Sequence, residues 1–107
     1  QVWGLDVQRA TLWTEDKTVS LQRHRLAMKF LLCLAGNDGH ASKAELAAQV
    51  WDITSYHPLN DDKRIQVAVR RLRQLMEEKS PPDLLITEED GYSIGRTGTF
   101  ILLTSRA

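Results

Sequence analysis

The chain has 107 residues, 42% of them hydrophobic, with 14 Lys+Arg against 14 Asp+Glu and a formal net charge of zero. That length suits one domain with its own apolar core, and charge neutrality excludes a uniformly basic nucleic-acid coat. The single cysteine, Cys33, excludes an internal disulfide and fits a reducing, cytoplasmic setting, while the longest apolar run, Phe30 to Ala35, falls far short of the roughly 20 residues that span a bilayer.

No signal peptide is visible, and the chain opens on Gln1 rather than Met, so residues 1–107 read as a single domain excised from a longer protein. The N-terminal segment "VWGLDVQRATLWTEDKTVSL" has short apolar alternations, with Thr14 to Lys17 as a turn. It predicts a small antiparallel sheet, with Trp3 and Trp13 packed against the first helix.

From Gln22 to Ala35 the period becomes helical, with Leu26, Phe30, Cys33 and Leu34 as the buried stripe. "GNDGH" stops this helix and places His40 in a turn. Ser42 followed by Glu45 has capping-box spacing and opens a second helix, "KAELAAQVW", which buries Leu46, Val50 and Trp51. A loop follows. Asn60, Asp61 or Asp62 then caps a third helix over about 61–79, which "SPPD" ends. The segment 84–95 reads as a β-hairpin turning at Asp90-Gly91, and "TFILLT" as a further strand. The predicted class is α+β: a short N-terminal antiparallel sheet, three helices and a C-terminal hairpin.

The third helix concentrates the charge. Residues 63–79 carry six basic side chains and two acidic ones, so the rest of the chain carries a net charge of minus four and the molecule is dipolar. On a helical wheel Ile65, Val69, Leu72 and Met76 form the buried stripe. Lys63, Val67, Arg70 and Gln74 lie opposite, with Gln66 and Arg73 on one edge and Arg64 and Arg71 on the other. Acids at i±4 are scarce in the first three turns, so local pairing is poor, and guanidinium forks suit phosphate and guanine edges.

"HASKAELAAQVW", "RIQVAVRRLRQLMEE" and "ITEEDGYSI", in this order, resemble the OmpR/PhoB-type winged helix-turn-helix DNA-binding domain of bacterial transcriptional regulators. The matching positions are Ser42, Val50-Trp51, Arg71-Leu72-Arg73 and Gly91-Tyr92. The resemblance implies sequence-specific binding of double-stranded DNA, with the third helix in the major groove and the hairpin as a wing. Carried over by position, Arg64, Arg70, Arg71 and Arg73 contact groove and backbone, with Val67 and Gln74 on the same face, while Lys63 and the Trp51 region position phosphates. The 52–60 loop corresponds to a segment that touches RNA polymerase or another regulator, and the family often binds DNA as homodimers. Where the family places a basic residue before Gly-Tyr, this wing has Glu88, Glu89 and Asp90, followed by Gly91 and Tyr92.

The acidic wing and neutral total charge support an alternative, a winged-helix protein–protein interaction module without DNA binding, in which the acidic wing and an exposed Tyr92 or Tyr56 meet a basic partner, or the arginine face binds an acidic protein surface. Nothing in the residues points to an enzyme or a cofactor. His24, His40 and His57 lack metal-ligand spacing, and the Asp61-Asp62 pair is explained by helix capping.

Overall fold

The computed structural model describes residues 2–14, 17–76, 85–95 and 99–103. The chain forms β1 (Val2–Asp6), β2 (Thr11–Trp13), β3 (Thr18–Ser20), α1 (Arg25–Gly36), β4 (His40–Ser42), α2 (Lys43–Trp51), α3 (Pro58–Met76), β5 (Leu85–Thr87), β6 (Gly91–Ile94) and β7 (Thr99–Leu103). This is the α+β, winged-helix-like order that the sequence predicts, with "KAELAAQVW" a helix end to end.

One sheet has the order β3-β2-β1-β7 and the other β4-β6-β5. The first three strands pair antiparallel, but β7 joins parallel to β1, from Val2 opposite Thr99 to Asp6 opposite Leu103. The C-terminal strand thus closes onto the N-terminal sheet. Gly4 permits this closure: a Cβ there would lie 2.3 Å from the Ile101 carbonyl oxygen and 2.6 Å from the Trp13 ring. A continuous core joins Trp3, Leu5 and Leu12 of this sheet to Phe30, Leu31 and Leu34 of α1, Leu46 and Val50 of α2 and the α3 stripe. Cys33 lies in it as a small apolar side chain, its thiol pushed up by burial.

Several expectations need correction. α1 begins at Arg25 rather than Gln22, because the His24 N–H donates to the Leu21 carbonyl across a turn. Leu26, expected in the core, is 42% exposed, and Leu31 is buried in its stead. His40 lies not in a turn but in β4, opposite Ser93 of β6. Trp51 is only half-buried. The end of the third helix near 79, the "SPPD" stop and residue 84 of the hairpin lie outside the described residues.

The wing also turns differently. The Glu88 N–H donates to the Gly91 carbonyl at 2.8 Å, so Glu89-Asp90 makes the bend and Gly91 begins β6. A glycine stands at 91 because of β4: a Cβ would lie 2.0 Å from the Ala41 carbonyl oxygen and 2.7 Å from Ser42 Cα. Tyr92, expected at the surface, is buried, with its ring edge-on to Phe30 at 5.9 Å.

Candidate nucleic-acid interface

Three sets of contacts fix the orientation of α3. Its stripe of Ile65, Val69, Leu72 and Met76 is buried, each residue less than 5% exposed. Its N-terminus starts a turn earlier than the predicted caps, at Pro58, whose fixed φ and missing N–H suit the first helical position. The buried Asp61 carboxylate accepts the His57 backbone N–H at 2.7 Å, fixing the entry into the helix without being its N-cap.

Asp62 holds the second contact. Its carboxylate accepts from the Tyr56 hydroxyl and pairs with Lys43 Nζ at 3.3 Å. The donated hydrogen bond and the lysine charge hold Asp62 below the usual carboxylate range, while burial and that carboxylate push Tyr56 up to about 12. The 52–57 loop and the start of α2 are thereby tied to the first turns of α3.

The third contact is Arg73. Its Nη2 donates to the Leu85 carbonyl at 2.8 Å and to Thr87 Oγ1 at 2.9 Å, and its Nε reaches the same carbonyl at 3.3 Å. Predicted as a DNA contact, it instead braces β5 against α3 and is half-buried.

The remaining outward residues stand as the wheel placed them. Lys63, Arg64, Val67, Arg70, Arg71 and Gln74 are all exposed. Among the described residues, no carboxylate forms an ion pair with Lys63, Arg64, Arg70 or Arg71. The acids Asp61, Asp62 and Glu45 serve other donors: Asp61 the backbone, Asp62 Tyr56 and Lys43, and Glu45 the Ser42 N–H of the capping box. That capping hydrogen bond lowers the Glu45 pKa.

The α2 N-terminus is not an open anion site. Ser42 Oγ accepts the Glu45 N–H at 3.1 Å, and the Asp90 carbonyl accepts the Lys43 N–H at 2.8 Å.

Two of the three wing carboxylates turn toward β4. His40 Nδ1 lies 2.6 Å from Glu88 and Nε2 lies 3.7 Å from Asp90, on the edge of the sheet away from β5, where Arg73 attaches. Nothing local in the sequence signals this pair, since 48 residues separate His40 from Glu88. Glu89 is exposed at the tip.

α3 is flanked by two grooves. On the wing side, Gln66, Val69, Arg70, Arg73, Gln74, Thr87 and Tyr92 line one of mixed polar and apolar character. On the α1 side, Leu26, Val67 and Leu75 lie between basic residues of both helices. Sequence reading missed this second groove, although Arg23 and Arg25 beside an apolar Leu26 in "QRHRLAMKF" are its trace.

Among the described residues no group of three or more His, Cys, Asp or Glu side chains could hold a metal ion, and no helix is long and apolar enough to cross a membrane. No protein-family profile matches the chain, and no curated protein matches it significantly.

Proposed function

We propose that this domain is a non-enzymatic reader of double-stranded DNA of the OmpR/PhoB type, acting in transcription regulation. In this reading α3 enters the major groove and the β5–β6 hairpin serves as the wing. One observation carries it: four cations, Lys63, Arg64, Arg70 and Arg71, stand exposed and without carboxylate partners among the described residues, on a helix whose opposite face is fixed in the core. A guanidinium in that state has made no internal hydrogen bonds that an incoming phosphate or guanine must displace. Gln66 and Gln74, exposed on the same surface, add donors and acceptors suited to base edges. The 52–60 segment, where Leu59 is 87% exposed, we assign to RNA polymerase or another regulator.

The test is selection of bound sequences from a random duplex pool, followed by fluorescence anisotropy on the enriched sites across a salt series. Affinity should fall steeply with salt, with a log–log slope of about −0.9 per phosphate neutralised. An Arg70→Ala/Arg71→Ala variant should lose enrichment. Absence of binding to any duplex at low salt would overturn the proposal.

A second reading, a protein-interaction module, is favoured by the carboxylates of Glu88, Glu89 and Asp90 at the wing tip, where a basic minor-groove contact would stand. It predicts that charge reversal at Glu89 leaves the domain unable to enrich any DNA sequence. The DNA reading predicts that Glu89→Lys tightens binding.

A further inference from the structure

Leu26 and Val67 are 42% and 38% exposed, on helices whose other faces carry the core residues Phe30, Leu34, Ile65 and Val69. They face one another across the α1–α3 groove, a cavity of about 760 Å³ also lined by Leu75 and Trp51. The rim is basic on both sides: Arg23, His24 and Arg25 leading into α1, and Lys63, Arg64 and Arg71 from α3. Among the described residues, no Asp or Glu lines it. DNA phosphates account for the rim but gain nothing from a leucine and a tryptophan on the floor.

We propose that this groove binds an acidic amphipathic helix of a partner protein, a function beyond DNA reading. Charge complementarity selects the occupant. Apolar side chains at i, i+3, i+4 and i+7 would cover Leu26, Val67 and Leu75, and Asp or Glu on the flanks would meet the cationic rim. Both walls are helices without a free strand edge, so the partner adds no β-pairing and docks through side chains. Along α3 the groove runs from Asn60 to Leu75, about 22 Å at 1.5 Å per residue, enough for a ligand helix of about four turns. Arg64 and Arg71 belong to this rim and also to the cationic face of α3, so the acidic helix and DNA compete for them.

The probe is a synthetic peptide of four turns with Leu at i, i+3, i+4 and i+7 and Glu elsewhere. A scrambled peptide of the same composition and poly-glutamate serve as controls. Titrations are followed by amide and Trp51 indole chemical shifts in the whole chain. The amphipathic peptide should perturb Ala27, Ala68, Leu75 and Trp51 and bind more tightly than either control. Leu26→Ser leaves the core intact and should weaken the peptide about three- to tenfold, scaled from the value of burying a whole leucine, without changing DNA affinity. Arg23→Ser/Arg25→Ser should weaken it further and flatten its dependence on salt, since fewer charge pairs are left to screen. Equal binding of the controls, no effect of Leu26→Ser on the peptide, or loss of DNA binding in Leu26→Ser would each overturn the proposal. The last outcome would make the groove part of the DNA surface. Failure of DNA binding alone, with peptide binding retained, would overturn only the DNA reading.

Discussion

Arg73 and Arg70 lie one turn apart on the same helix, and the structure gives them opposite duties. Arg73→Met keeps the aliphatic stem and removes the fork that donates to Leu85 and Thr87. Hydrogen bonds from a charged group contribute about 1.5–3 kcal/mol. The receiving strand residue, Leu85, is buried, but Arg73 itself is half-exposed, which places the expected loss near the lower end, at about 2 kcal/mol. At about 4–8 °C per kcal/mol for a domain of this size, the melting temperature should drop by about 8–16 °C. Arg70→Met removes a side chain with no described partner and should change stability by no more than about 0.5 kcal/mol. In anisotropy measured well below both transitions the order should reverse. Arg70→Met should lose about 1–3 kcal/mol of DNA binding if it meets a base, and Arg73→Met should lose little. Thermal and urea unfolding, paired with one titration, decide the matter. If Arg73→Met melts where the parent does, the brace is not a stabilising contact and the assignment of duties is wrong.

Three other substitutions follow from local geometry. Gly91→Ala drives a Cβ into the Ala41 and Ser42 backbone, which cannot yield as a side-chain end would, and should cost at least about 1–3 kcal/mol in urea unfolding; Gly36→Ala, with nothing within 4 Å, should be neutral or stabilising. Tyr56 has its pKa raised on folding, so its contribution is fully present below the unfolded value of about 10 and is lost as pH rises toward about 12. Tyr56→Phe should flatten that alkaline loss in part, because buried Tyr92 is also raised. At the acid end Asp62 and Glu45 are lowered, so their contribution is present above the ordinary carboxylate value and fades as pH falls through the lower folded one. Without its Tyr56 hydrogen bond Asp62 should titrate higher, so pH scans of Tyr56→Phe should show the acid transition at higher pH.

What the sequence revealed, and what it hid, divides by the distance between partners. Ser42 and Glu45 cap α2 as predicted because both ends of the capping box lie within one turn. The α3 stripe was legible because a period of 3.6 writes a buried face into any window of four turns. His40 could not be read as a strand residue, since a three-residue strand exists only where β6 pairs with it. The parallel pairing of β7 with β1 joins the two ends of the chain and has no local signature. Arg73 illustrates the finer limit: its wheel position at the edge of the basic face was correct, but periodicity does not show that β5 lies against that edge. Leu26 fits the helical period and still misses the core, because the period gives a direction and not how far the neighbouring elements extend.

Zero net charge also conceals how the charges are distributed. Asp61, Asp62 and Glu45 answer backbone, tyrosine and lysine donors, Glu88 and Asp90 answer His40, and Asp6 faces Arg9. None of these carboxylates pairs with Lys63, Arg64, Arg70 or Arg71. Exposed charges farther apart than about 8 Å are largely screened at physiological ionic strength. An anion arriving at α3 therefore meets the nearby guanidiniums rather than the molecular sum. The same screening makes the wing carboxylates matter only for ligands that reach the hairpin tip. Glu89 is the one of the three not turned toward His40, so it is the residue whose reversal should change how the wing meets DNA, and Glu88 and Asp90 should matter less while His40 holds them at the β4 edge.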